Sequence, residues 1–173
     1  MLTTGFVERQ LDKSPFKEVK YMSIETVTQY LAQCGFADRV RRFDVSSATV
    51  ALAARALGCE EAHIAKTMAF LVNGEPVLVV TAGDAKVNSA KFKARFAVKA
   101  KMLTAEQLVA LVGHAPGGVC PFALKEGCRV YLDESLKRFD VVYPAAGDAA
   151  SAVELTVPSW SSAPARWGGW TSA

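Results

Sequence analysis

The stretch IAKTMAFLVNGEPVLVVTA, Ile64 to Ala82, decides how the chain is read. Two β-prone runs, Ile64 to Val72 and Pro76 to Ala82, are separated by Asn73, Gly74 and Glu75. An Asn-Gly pair supports the positive φ angles of a tight hairpin turn, so the stretch is expected to form an antiparallel hairpin. Within the first run, Ile64, Lys66, Met68 and Phe70 share one face, and Ala65, Thr67 and Ala69 share the other. The face with the larger side chains is the expected buried face, and it carries a lysine. Three readings of Lys66 follow. It reaches water from the strand start, it pairs with a carboxylate, or it lines a pocket and presents charge to an anion or a developing oxyanion.

Helical patterns flank the hairpin. SIETVTQYLAQCG reads as a helix capped by Ser23, with Ile24, Val27, Tyr30 and Leu31 on one face and Gly35 as its stop. A short strand is expected around Arg39 to Val45. SSATVALAARALG reads as a second helix, capped by Ser46 or Ser47 and ended by Gly58. Downstream, NSAKFKARF is helical and basic, and TAEQLVALVG is a helix from Thr104 to Gly113. CRVYLDESL, FDVVYPAAG and SAVELTV each contain a strand. Helices and strands intermix without strict βαβ alternation, which predicts an α+β fold with a mixed sheet. The expected organisation is an N-terminal extension over residues 1–22, one domain over 23–157, and a tail over 158–173. That tail is rich in Ser, Ala, Gly and Pro and holds all three tryptophans, which suits docking on the domain or on a partner.

Of the 173 residues, 51% are hydrophobic and 21% charged, so a sizeable core is affordable and disorder is excluded. No apolar run reaches the ~20 residues that span a bilayer, and the N-terminus lacks an apolar signal region. A cytoplasmic protein is expected. Cys34, Cys59, Cys120 and Cys128 form no CxxC pair and the two histidines have no zinc-motif spacing, so reduced thiols and no metal are expected. Net charge is only +3, but Lys86, Lys91, Lys93, Arg95, Lys99 and Lys101 fall in a segment, Ala85 to Ala105, with no acidic residue. Such a patch is either a solvated helix face or a seat for a polyanion such as RNA.

GHAPGGVCPF, Gly113 to Phe122, is the second candidate. Adjacent glycines let a backbone approach a ligand, and successive N–H groups can cradle an oxygen. Equally, the segment can be a plain turn between elements. Cys120 lies within it, but a cysteine nucleophile needs a base and a lowered pKa, and a small buried residue is the better reading. No Gly-x-Ser-x-Gly elbow, phosphate loop or Rossmann fingerprint is present.

Taken in order, the AKT hairpin, the PVLVVTAGD strand, the basic helix, the GGVCP loop and the PAAG turn resemble the YbaK / prolyl-tRNA-synthetase-associated domain family, also called INS-like editing domains. The resemblance runs from about Ser23 to Val157. It implies a mixed, partly barrel-like β-sheet with surrounding helices, and an aminoacyl-tRNA deacylase that needs no cofactor. It implies Lys66 as the essential strand lysine, with Thr67 beside it. It also implies substrate contact by the backbone of Gly117, Gly118, Val119, Cys120 and Pro121, and a small-residue turn at Gly147. Where some members carry a strand aspartate, this chain has Ala152, with Asp148 and Glu154 nearby.

The expected reaction is hydrolysis, in trans, of the ester of mischarged tRNA, most of all tRNA(Pro) bearing Ala, Cys or Ser. Gly118 to Cys120 would hold the carbonyl oxygen and Lys66 the terminal phosphate or carbonyl. The substrate's own ribose hydroxyl would help activate water. Lys86, Lys91, Lys93 and Arg95 would meet the acceptor stem, and a transient association with a synthetase is compatible with this. The alternative is a non-catalytic member of the same fold that binds RNA or protein.

Overall fold

The computed structural model describes residues 22–162 and 167–171. Its first elements are helix α1 (Ile24–Gln33), strand β1 (Val40–Arg42) and helix α2 (Val50–Leu57). The hairpin follows as β2 (Ile64–Val72) and β3 (Glu75–Ala82), paired antiparallel from Ala65 opposite Ala82 to Val72 opposite Glu75. Asn73 and Gly74 both take positive φ, 51° and 85°, as the Asn-Gly pair leads one to expect. Helix α3 (Ser89–Phe96) is capped by the Asn88 carboxamide, and the short α4 (Ala105–Gln107) by a Thr104–Gln107 capping box. Then come β4 (Arg129–Asp133), β5 (Val141–Pro144), β6 (Ser151–Val153), β7 (Leu155–Thr156), α5 (Val157–Ser162) and β8 (Trp167–Thr171).

The main sheet has the order β7-β5-β2-β3-β4-β8 and mixes parallel with antiparallel pairs. β1 and β6 form a second antiparallel pair, joined to the end of β5 by a bridge between Ala145 and Ala152. The result is an α+β fold with a curled half-barrel sheet.

Both faces of the hairpin are covered, not only the face with the larger side chains. Ala65, Ala69, Leu78 and Val80 join the main core with Val27 and Leu31 of α1, Phe122 and Trp160. Phe70, Val77 and Val79 pack on the other side with Phe92 and Phe96 of α3. The alanines of β2 face the crowded side and the larger residues meet α3, which is why the strand does not show a simple oily-in, polar-out alternation.

Several local expectations change. Thr49, not Ser46 or Ser47, caps α2, its Oγ1 accepting the Leu52 N–H at 3.2 Å; the helix starts only at Val50, and Ser46 Oγ accepts the Ala48 N–H instead. β1 is shorter than expected, Val40–Arg42, although the Phe43 N–H still bonds to the Ala150 carbonyl one step further along its pairing with β6. The helix begun at Ala105 widens into a π-turn over Leu108–Val112, and the Lys125 ammonium donates to the Val109 and Ala110 carbonyls. SAVELTV is two strands, because Glu154 donates its N–H to Arg39 while Leu155 moves on to pair with β5.

The expected tail beyond Val157 is, in its described residues, part of the fold. Trp160 is fully buried against Phe122, with ring centroids 6.0 Å apart, and β8 adds a parallel strand beside β4. A tryptophan carries too much apolar surface to leave in water when the core has room for it. The expected extension over residues 1–22 lies outside the described residues except for Met22, whose N–H bonds to the Gly113 carbonyl at 2.7 Å.

Candidate active site

The hairpin, the N-terminus of α2, the Gly117–Val119 loop and the β5–β6 crossing enclose a cavity of about 170 Å³. Ala48, Val50, Ala53, Ile64, Ala65, Val119, Ala145 and Ala152 give it small apolar walls. Ser47, Thr49, Lys66, Thr67, Tyr143 and Ser151 bring the polar groups, and Gly117 completes the rim. No carboxylate lines it among the described residues.

Lys66 and Thr67 lie on opposite faces of β2, yet both line this cavity, because it opens at a gap in the sheet edge. On the edge away from β3, pairing of β2 stops at Ala65, opposite Pro144 of β5. It resumes at Ala69, whose carbonyl accepts the Leu103 N–H at 3.0 Å. Thr67 sits midway, and strand geometry turns its main-chain N–H and C=O toward that same edge. β5 has turned off at Ala145 to meet Ala152.

Two buried hydroxyl oxygens in the lining, Ser47 Oγ and Thr67 Oγ1, have no hydrogen-bond partner. A buried polar atom left unpaired costs about 1–3 kcal/mol, and a bound ligand is one way to satisfy it.

Lys66 is half-buried and donates from Nζ to the Ala85 carbonyl at 2.8 Å. It neither reaches free into water nor forms an ion pair. Burial lowers its pKa first of all, the Asp84 carboxylate opposes that, and the Lys86 ammonium adds to it. Asp84 itself is held by Arg138 in a two-pronged pair at 3.0 and 2.5 Å.

Of the loop residues expected to touch substrate, Gly117 and Val119 line the cavity. Gly118 donates its N–H to the Ala115 carbonyl at 3.2 Å, so that N–H is committed within the loop and not to an oxyanion. Its role is close packing: a Cβ there would lie 2.8 Å from the Gly147 carbonyl oxygen and from Asp148 Cα. Gly147 sits at φ +105°, and a Cβ on it would lie 2.6 Å from Val27 Cγ2. Cys120 is fully buried, its Sγ 3.6 Å from His114 Nε2. Burial pushes its thiol up to about 12 and pulls the His114 imidazole down. Both are neutral near pH 7, so they form no thiolate–imidazolium pair. Pro121 is buried beside them.

The basic residues lie outside the cavity. Lys86, Lys91, Lys93 and Arg95 are all exposed, while Phe92 and Phe96 of the same helix are buried. The Arg95 guanidinium stacks 5.1 Å from the Tyr131 ring. Sequence reasoning missed Ser47, Thr49 and Val50 of the cavity wall, and Tyr143 with them. The only signal for Ser47 and Thr49 was the cluster SSAT before α2, which has the composition of an ordinary helix cap.

Residues 45–161 match the model of the aminoacyl-tRNA editing domain, which is most of the chain; the protein belongs to that family. It is 44% identical over 136 residues to the uncharacterized protein YwhH of Bacillus subtilis, covering 78% of this chain and 87% of that protein. It is also 39% identical over 85 residues to the proline–tRNA ligase of Leuconostoc citreum, about half of this chain but only 14% of the ligase. Among solved structures, the hypothetical protein APE2540 superposes with a TM-score of 0.75 at 28% identity, over 85% of this chain and 99% of that one. A proposed trans-editing enzyme for prolyl tRNA synthetase has the same fold, with a TM-score of 0.75 at 23% identity over 91% of this chain and 99% of that one.

Proposed function

We propose that this protein hydrolyses the ester of mischarged tRNA in trans, with tRNA(Pro) bearing alanine, cysteine or serine as its candidate substrate. The observation that carries the reading is the convergence of Lys66, the Gly117–Val119 loop and two unpaired hydroxyls on one small cavity. The small apolar walls suit a small aminoacyl group. The edge gap at Thr67 and the hydroxyls of Ser47 and Thr67 suit its ester and amino ends.

In the proposed reaction a water oxygen attacks the ester carbonyl. The charge that develops on the carbonyl oxygen is met by the Lys66 ammonium and by the Val119 N–H. The acyl C–O bond then breaks, and the ribose oxygen leaves with the proton that water gives up. Among the described residues no carboxylate faces the cavity to carry that proton, so the neighbouring ribose hydroxyl relays it. The basic face of α3 (Lys91, Lys93, Arg95), with Lys86 just before it, would hold the acceptor end by contacts to phosphates.

The lack of a lining carboxylate also favours a second reading, a binding member of the family without turnover. A deacylation panel separates the two. tRNA(Pro) charged with Pro, Ala, Cys or Ser is incubated with the protein, with Ala-tRNA(Ala) as control. Fast loss of one mischarged ester, with Pro-tRNA(Pro) spared, supports the deacylase. Binding of tRNA with no turnover of any ester refutes it in favour of the binding member.

A further inference from the structure

Lys66 is held through a turn, and that turn is tied down from three sides. Its Nζ donates to the carbonyl of Ala85, just beyond the end of β3. The Ala85 N–H returns to the Ala82 carbonyl at 3.0 Å, and the Ala82 N–H donates to Ser135 Oγ at 3.0 Å. Gly83 is pressed so closely on Glu61 that a Cβ would lie 2.0 Å from its carbonyl oxygen. Asp84 is gripped by the Arg138 fork, and Arg138 Nε donates to the Ser135 carbonyl at 2.9 Å. An isolated exposed ion pair contributes little. This one differs because it is bidentate and because Arg138 is also bonded to Ser135, whose hydroxyl holds the Ala82 N–H at the start of the turn.

Building on the reading of Lys66 given above, we propose that Asp84 and Arg138 are positioning residues that set the place and charge of the Lys66 ammonium in the cavity. Arg138 does two things. It fixes the turn that carries the Ala85 carbonyl, and it balances a carboxylate that otherwise acts on Lys66 alone. The charged groups acting on Lys66 are Asp84 and Lys86, with Arg138 acting through Asp84. Removing the Arg138 charge leaves Asp84 uncompensated and holds the proton on Lys66 more tightly. Removing the Asp84 charge leaves burial and Lys86 unopposed and loosens it. The two variants therefore move Lys66 in opposite directions, whereas simple loosening of the turn would move both the same way.

The test reads Lys66 directly. Its acylation by a small amine-reactive reagent is followed across pH by peptide mass spectrometry in wild type, Asp84→Asn, Arg138→Ala and Arg138→Lys. Arg129→Ala, which breaks the equally exposed pair with Glu75, serves as control. The expected result is a midpoint displaced down in Asp84→Asn and up in Arg138→Ala, each by roughly half a pH unit. Arg138→Lys should fall between, since an ammonium keeps the charge but not the fork, and Arg129→Ala should match wild type. Deacylation by Arg138→Ala should fall about tenfold, with Arg138→Lys recovering part. Midpoints that stay put, or that move together, overturn the proposal. The labelling result does not depend on turnover, so a protein that hydrolyses no ester yet shows opposed midpoints would sink the deacylase reading and leave the brace standing.

Discussion

Gly118→Ala is the sharpest perturbation of the site, because it adds one methyl group where two backbones touch. The new Cβ would lie 2.8 Å from both the Gly147 carbonyl oxygen and Asp148 Cα, and 2.9 Å from Asp148 N. Ordinary contact begins at 3.4 Å, so the loops must part by about 0.6 Å. The neighbours are backbone and have no rotamer with which to move aside. Overpacking of this kind costs about 1–3 kcal/mol. The displaced segments also carry the cavity wall, with Gly117 and Val119 on one side and Ala145, Ser151 and Ala152 on the other. Misplacement of a reacting group by about 1 Å can cost a hundredfold, so a loss of between tenfold and a hundredfold in deacylation is expected here. Urea denaturation gives the first number and single-turnover ester loss the second. Gly127→Ala is the control. It has φ +89° and open space around it, so it should lose about 1–2 kcal/mol to backbone strain and keep its rate. A Gly118→Ala protein with wild-type stability and wild-type rate would refute the packing account of the loop.

Three further outcomes follow from the same geometry. His114 is fully buried, donates from Nε2 to the Phe122 carbonyl at 2.9 Å, and leaves Nδ1 unpaired; burial lowers its pKa below that of the unfolded chain. Below about pH 6.5 the unfolded state therefore binds the extra proton first, and stability should fall as pH drops from there toward the folded pKa. Urea midpoints at pH 7.5 and 5.5 should differ for this reason, and His114→Gln should shrink the difference. Trp160→Ala should cost about 3–5 kcal/mol by thermal or urea unfolding, which a loosely attached tail could not produce. Lys91→Ala and Lys93→Ala should each lower the slope of log binding constant against log salt for tRNA by about 0.7–0.9, while leaving the single-turnover rate of bound substrate unchanged.

The fold was most legible where local chemistry and tertiary context agree. The Asn73-Gly74 turn, the Ser23 and Thr104 caps and the Gly58 and Gly113 stops all sit where turn and cap chemistry puts them. Lys66 was legible as an anomaly, since an ammonium among Ile, Met and Phe requires a reason. What it donates to was not legible, because Ala85 lies 19 residues away and presents only a carbonyl. Gly118 and Gly147 read as parts of a ligand loop and a turn, but their packing against each other is a long-range contact that no local pattern announces. Cap position slipped from Thr49 to the preceding serines because all three residues have the same side-chain chemistry. The Ser- and Gly-rich composition after Val157 concealed a buried Trp160 and a sheet strand, since a parallel edge partner needs no alternating pattern of its own.

The central claim is that Lys66 serves the cavity and not the fold. The most direct test is single-turnover hydrolysis of the best mischarged substrate by wild type, Lys66→Ala and Lys66→Arg, with urea unfolding of each in parallel. The account predicts that Lys66→Ala unfolds within about 1 kcal/mol of wild type, as expected for a half-buried side chain with one hydrogen bond, yet loses hydrolysis by about a hundredfold or more. Lys66→Arg should keep the charge and recover only part of the rate, because the larger guanidinium cannot reproduce the bond to Ala85 in the same space. A folded Lys66→Ala protein that hydrolyses at the wild-type rate would contradict the account.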